Sequence, residues 1–336
     1  MKNALITGIT GQDGAYLSRL LLEKGYQVYG ISRDSSALNT ANLSFLGIED
    51  RVTIHTANML DLSNVIRLLD IIRPDEIYHL AAQSSVATSF EQPIWTVDFN
   101  IMATLNLLEA VRLLQLDTRF YHASSSEMYG RVGQLPVNEQ TAFHPVSPYA
   151  VSKAAGHWLT VNYREAYGLY CCCGILFNHE SILRPPHFVT KKIIAAAVRI
   201  KRGAGSKLRL GNVEIRRDWG YAPEYVKAMW LMLRQDAPGE FIIATGESHT
   251  LWEFVDCAFR HLGLDPGEHV ITDPALYRPA DIQDICGDPS KAKEGLGWEY
   301  AMSFEGLIAA LVDEEWRSQE TGRSAQEMAR REHALV

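Results

Sequence analysis

Apolar positions in the first half of the chain alternate between two rhythms. Short runs rich in aliphatic and β-branched residues, at 3–7, 27–32, 52–56, 77–80 and 120–124, read as strands. Between them, 15–24, 62–72 and 96–113 carry apolar residues at three- and four-residue spacing, the stripe of an amphipathic helix. Strand and helix in alternation predict an α/β fold with a doubly wound parallel sheet. Pro145 and Pro148 precede a helix over 149–167, and 170–176 returns to a strand. Beyond residue 178 the rhythm loosens into short helices at 190–202, 224–235 and 251–262, separated by loops rich in Gly, Pro and Asp. That pattern predicts a smaller C-terminal α/β lobe packed at the strand C-termini. The expected organisation is a nucleotide-binding domain over 1–177, mainly a substrate lobe over 178–320 with some interleaving, and a frayed charged tail over 321–336.

Composition narrows the partners. The 336 residues carry a net charge of −8, which excludes nucleic acid held by bulk electrostatics and requires local Arg and Lys for any anionic substrate. Of five cysteines, Cys171, Cys172 and Cys173 are consecutive and read as small core residues, and no metal-ligand spacing is present. The chain enters a strand at Lys2, leaving no room for a signal peptide, and no apolar run reaches membrane-spanning length. The expectation is a reduced, cytoplasmic protein with no metal and no membrane partner.

The first chemical motif is Gly8, Gly11 and Gly14, spaced GxxGxxG between a strand and a helix. Glycines there permit a tight turn and let backbone N–H groups approach a pyrophosphate at the helix N-terminus. The second strand ends Ser32-Arg33-Asp34-Ser35-Ser36. Arg33, Ser35 and Ser36 suit the 2′-phosphate of NADP, whereas Asp34 suits the free hydroxyl of NAD.

The second motif pairs two segments. Tyr149 and Lys153 share a helix face as YxxxK, so an ammonium can lie beside a phenol and lower its pKa. Ser125 and Glu127, in Ala123-Ser-Ser-Ser-Glu127, stand at the C-terminal end of a strand, where α/β sheets place their ligands. A hydroxyl to hold the reacting oxygen, a phenol as acid/base and a carboxylate for proton transfer together form a catalytic constellation. Either segment alone reads equally well as helix surface or a Ser-rich turn.

With the glycine turn, Leu80-Ala-Ala-Gln83, Ser124–Gly130 and Tyr149–Lys153, the chain resembles the extended short-chain dehydrogenases. Longer stretches, TGITGQDGAYL from Thr7, ILFNHES from Ile175, FVTKKI from Phe188, GNVEIRRDWGYAPEYVKAMWLML from Gly211 and IATGESHT from Ile243, resemble the GDP-mannose 4,6-dehydratases. The resemblance implies a Rossmann sheet and conversion of a GDP-hexose to its 4-keto-6-deoxy form with NADP as catalytic cofactor. Tyr149 would take the C4 hydroxyl proton during oxidation, Glu127 would remove the C5 proton, and the C6 hydroxyl would leave as water before hydride returns to C6. The resemblance also implies cofactor contacts from Gly8, Thr10, Gly11, Gln12, Asp13, Gly14, Arg33, Ser35, Ser36, Asn58, Leu60, Leu80, Ala81, Ala82, Gln83, Tyr149 and Lys153. Substrate contacts would come from Ser84, Asn178, Glu180, Val189, Lys192, Arg217, Arg278 and Asp281. Subunits would pair through the helices near 96–113 and 149–167 into a homodimer or homotetramer.

Departures from the family pattern cluster at substrate and cofactor contacts. Ser125 replaces the usual threonine and keeps the hydroxyl. Ile182-Leu-Arg-Pro185 replaces a stretch close to Pro-Arg-Arg-Gly, Asp281 replaces a Glu, and Asn58 replaces an Asp. The neighbouring readings are a 4-epimerase, 4-keto reductase or decarboxylase on a nucleotide sugar, which share Ser, Tyr and Lys. A cofactor-binding sensor on the same fold has no use for all four residues together.

Overall fold

The computed structural model of the protein describes residues 1–33, 39–205 and 207–320. At its centre lies a parallel sheet of seven strands: β1 (Asn3–Thr7), β2 (Gln27–Ser32), β3 (Val52–Thr56), β4 (Glu76–His79), β5 (Arg119–Ser125), β6 (Cys171–Leu176) and β7 (Glu240–Ile243), in the order β7-β6-β5-β4-β1-β2-β3. All six pairings are parallel. The chain runs outward from β1 through β3, then crosses back to β4 and continues the other way. This reversal is the switch point of a doubly wound Rossmann sheet, where a crevice opens beyond the strand C-termini.

The helices are α1 (Gln12–Glu23), α2 (Leu62–Ile72), α3 (Pro93–Leu113), α4 (Pro148–Tyr167), α5 (Val189–Lys201), α6 (Ala222–Met232), α7 (Leu251–His261) and α8 (Phe304–Glu320). Strand side chains alternate between faces, so Ala4 and Ile6 of β1 pack with Leu17 of α1 and Val226 and Met229 of α6. Leu5 faces the other way, with Leu69 of α2 and Leu107 of α3. Pro93 and Pro148 occupy first-turn positions, where a missing N–H costs nothing, and so begin α3 and α4 slightly before the apolar periodicity does.

A second core, with Ile193, Phe254, Phe259, Leu307 and Leu311, joins α5, α7 and α8 into a lobe. Two-stranded pairs tie it together, including Asn178–Glu180 with Trp219–Tyr221 and Arg216–Arg217 with His249–Thr250. The lobe and the sheet interleave: β7 and α6 lie beyond residue 178 yet belong to the sheet layer. Among the described residues no helix is long and apolar enough to cross a membrane. The tail expected over 321–336 lies outside the described residues.

Candidate active site

β1 delivers the chain to the switch point at Gly8. Its φ of +74° suits glycine, and a Cβ there would lie 3.0 Å from the Ala81 nitrogen. The Thr7 hydroxyl accepts hydrogen bonds from the backbone N–H groups of Leu80 and Ala81, both at 3.1 Å, and fixes the end of β4 against the turn. A Cβ on Gly14 would collide with the Gly8 carbonyl oxygen, so glycine lets α1 pack against β1. Gly11 begins α1 with no side-chain cap, which leaves a helix N-terminus available to an anion. The turn therefore fits the diphosphate of a dinucleotide.

Beside that turn, β5 ends at Ser125, whose Oγ accepts the Glu127 N–H at 3.3 Å and caps the short turn Ser126–Met128. The Ser147 hydroxyl accepts the Ala150 N–H at 3.1 Å and starts α4, which brings buried Tyr149 and Lys153 to the same place. The Tyr149 hydroxyl lies close enough to Ser125 for that side chain to pull its pKa down. Lys153 Nζ donates to the Ala123 carbonyl at 2.8 Å and lies 6.0 Å from the Tyr149 ring centre.

The electrostatics correct one expectation. Burial pushes the Tyr149 phenol up to about 12, and Ser125 only partly opposes it. Burial also drives Lys153 down to about 8, and its Nζ donates to the Ala123 carbonyl rather than to the phenol. The phenol is thus protonated at neutral pH in the chain alone. Burial also raises the Glu127 carboxyl above its usual range, with Arg217 and Arg278 pulling it back and Asp281 pushing it further.

Three arginines face this group. Arg217, almost fully buried, donates to the Arg216 and Ile282 carbonyls at 2.8 and 2.7 Å and to Asp281 at 2.7 Å. Arg278 lies 3.6 Å from the same Asp281 oxygen. Arg184 pairs with Glu180 at 3.2 Å and covers the Phe188 ring at 3.8 Å. Arginine forks are chemically suited to phosphate oxygens.

One cleft of about 400 Å³ gathers most of the predicted residues: Gly8, Gly11, Gln12, Asp13, Gly14, Leu80, Ala81, Ala82, Ser84, Ser125, Glu127, Tyr149, Lys153, Asn178, Glu180, Val189, Arg217 and Arg278. Others stand outside its lining. Gln83 is turned inward, its side chain bracing the backbone of Ser85, and Asn100 holds its own backbone N–H at 2.8 Å. The Thr10 carbonyl is held by Asn42. Arg33, Asn58 and Leu60 are exposed, beyond the ends of β2 and β3 along the same sheet edge. Ser35 and Ser36 lie outside the described residues. Lys192 donates to the Arg209 carbonyl at 2.7 Å, away from the lining. Asp281, expected among the substrate contacts, lies outside the lining and accepts through one oxygen from Arg217 and from the Ile282 N–H. Glu180 reaches the cleft wall but gives its carboxylate to Arg184 and Thr190.

Sequence reasoning missed His179, Arg184, His187, Phe188 and Trp219, all of which line the cleft. The altered loop around Arg184 was the available signal for three of them. The role of His179 has no local signal, since its carboxylate partner Asp13 lies 166 positions away in the chain.

A family model described as GDP-mannose 4,6 dehydratase matches residues 5–311. The chain is 49% identical over 345 residues to GDP-mannose 4,6 dehydratase 1 of Arabidopsis thaliana, covering all of this chain and 92% of that one. It is 47% identical to the GDP-mannose 4,6-dehydratase of Yersinia enterocolitica, covering 93% of each. Among solved structures, the UDP-glucose 4-epimerase of Thermotoga maritima with UDP-glucose superposes with a TM-score of 0.84 at 26% identity, over 95% of this chain and 99% of that one. With the glycine turn, the Ser–Tyr–Lys–Glu group and the arginine wall in one cleft, the chain belongs to the GDP-mannose 4,6-dehydratase family.

Proposed function

We propose that this chain is a hydro-lyase that converts GDP-mannose to GDP-4-keto-6-deoxymannose, with NADP as a retained cofactor. The observation that carries the reading is Glu127. A half-buried carboxylate on the cleft wall with the Ser125–Tyr149–Lys153 set supplies the base that dehydration needs and simple oxidation does not.

The residues divide the work. Ser125 holds the C4 hydroxyl through its own Oγ while Tyr149 receives the C4 proton. Lys153, fixed on the Ala123 carbonyl, keeps a positive charge near the phenol. Bound across the Gly8–Gly14 turn, NADP⁺ supplies a hydride acceptor for C4, a donor for C6 and a positive charge that opposes the burial penalty on a Tyr149 phenolate. Once C4 is a ketone, the C5 hydrogen is acidic; Glu127 takes that proton and delivers it to the C6 hydroxyl, which departs as water. Arg217 and Arg278 hold the diphosphate and favour the Glu127 carboxylate against the burial that raises its pKa. Arg33, Ser35 and Ser36 bind the 2′-phosphate of the cofactor.

On this reading residues 1–177, with β7 and α6, form the cofactor layer, and the remainder of 178–320 binds the GDP-sugar. The working form is a homodimer or homotetramer. α3 and α4 leave Ile94, Trp95, Val151 and Trp158 exposed, a partly apolar face of the kind that self-association covers. Five thiols with no bridge among the described residues suit a reducing cytoplasm.

The test is incubation of the purified protein with GDP-mannose, with and without added NADP⁺, and identification of products by mass. Loss of one water from the sugar supports the reading. A product of unchanged mass with inverted C4 points to an epimerase.

A further inference from the structure

We infer that His179 and Asp13 form a proton-sharing pair that keeps the phosphate turn electrically neutral, making His179 a positioning residue for the anionic cofactor. The inference rests on the dinucleotide reading of the cleft given above.

The turn presents a problem of charge. Asp13 stands in the first turn of α1, on the cleft wall, where the diphosphate of a dinucleotide would lie. A bare carboxylate there would repel it and cancel the attraction of the helix N-terminus. His179 answers that charge. Its Nε2 lies 2.8 Å from Asp13 Oδ2, and its Nδ1 lies 2.7 Å from the Phe177 carbonyl oxygen. A carbonyl only accepts, so Nδ1 carries a proton. One further proton then bridges Nε2 and the carboxylate, and wherever it resides the pair is neutral.

The surroundings hold this arrangement. Gln12 Nε2 donates to the His179 carbonyl and to Asp13 Oδ1, each at 3.1 Å, and Gln12 Oε1 accepts from the Ser181 hydroxyl at 2.8 Å. The His179 ring stacks on Tyr225 of α6, centres 4.7 Å apart. The charged groups facing His179 are therefore Asp13 from α1 and Arg184 from the following loop, with Tyr225 supplying an apolar ring face. Burial and Arg184 disfavour the imidazolium, and Asp13 outweighs both, so the His179 pKa is raised. For Asp13, burial opposes ionisation, and the charge and hydrogen bond of His179 outweigh it and lower the carboxyl.

The test measures the dissociation constant of NADP for the unmodified protein and for His179→Gln, Asp13→Asn and the double variant, across pH. The glutamine can donate a hydrogen bond but no charge, so His179→Gln should weaken NADP on the order of ten- to a hundredfold. Asp13→Asn added to it should restore most of the affinity, which a merely structural loss would not permit. In the unmodified protein, affinity should fall as alkaline pH removes the shared proton, and this limb should vanish in the double variant. That pH profile needs no variant to fold. Failure of the unmodified protein to bind NADP overturns both the proposed function and this inference. Binding that is independent of pH, unchanged in His179→Gln or unrescued in the double variant overturns this inference alone.

Discussion

Asp281 Oδ1 accepts a hydrogen bond from Arg217 Nη2 at 2.7 Å, and this contact holds a guanidinium whose side chain is only 5% exposed. Removing the carboxylate leaves a buried charge with carbonyl partners alone. Asp281→Ala should therefore cost on the order of 2–3 kcal/mol, less than a fully buried pair because Asp281 is partly exposed. It should also raise KM for GDP-mannose more than it lowers kcat. Urea unfolding and steady-state kinetics check both, and Asp281→Asn should be milder because it keeps an acceptor.

Glu127 must be ionised to act as a base, so dehydration should fade as pH falls through its raised pKa. Arg278 favours the carboxylate, and removing that cation raises the pKa further. Arg278→Ala should accordingly move the acid limb of kcat/KM to higher pH. A limb that stays in place would remove Arg278 from the electrostatics of the base.

Arg33 is exposed just past β2, where the proposed reading puts the 2′-phosphate of the cofactor. NADP should bind more tightly than NAD, and Arg33→Ala should narrow the gap by roughly tenfold. Equal dissociation constants in the unmodified protein would refute the preference.

Trp158 on α4 is 59% exposed, a large ring left in water by the single chain. Sedimentation should show a dimer or larger species, and Trp158→Glu should shift it toward monomer. Monomer alone at micromolar concentration would contradict self-association through this face.

Much of the sheet was legible because its strands are short apolar runs between strongly periodic helices. Asn3–Thr7, Gln27–Ser32, Val52–Thr56 and Leu62–Ile72 fall where the pattern puts them. β7 escaped notice because four residues, Glu240–Ile243, carry no periodicity of their own and gain their place only by pairing with β6. α8 was overlooked although Phe304, Leu307, Ile308, Leu311 and Val312 form a helical stripe, which packs against α5 and α7.

The candidate site divides the same way. Ser125, Glu127, Tyr149 and Lys153 were legible because their spacing encodes their proximity, two residues on a turn and four on a helix. The burial that leaves the Tyr149 phenol protonated, and Lys153's hold on the Ala123 carbonyl, were not legible. The hydrogen bond from Arg217 to Asp281 was not legible, because 64 positions separate the two residues. The pairing of His179 with Asp13 spans 166 positions and depends on the folded lobe.

The division of labour between Tyr149 and Glu127 is tested most directly by single-turnover stopped-flow absorbance of NADPH with Glu127→Gln, paired with deuterium exchange at C5. An amide cannot serve as a base, but oxidation at C4 needs only Tyr149, Lys153 and Ser125. The variant should therefore reduce NADP⁺ in one turnover, as Tyr149→Phe should not. It should then stall without exchange at C5, leaving a 4-keto sugar that retains its C6 hydroxyl. A folded Glu127→Gln that loses both steps equally, or one that keeps full dehydratase turnover, would contradict the account.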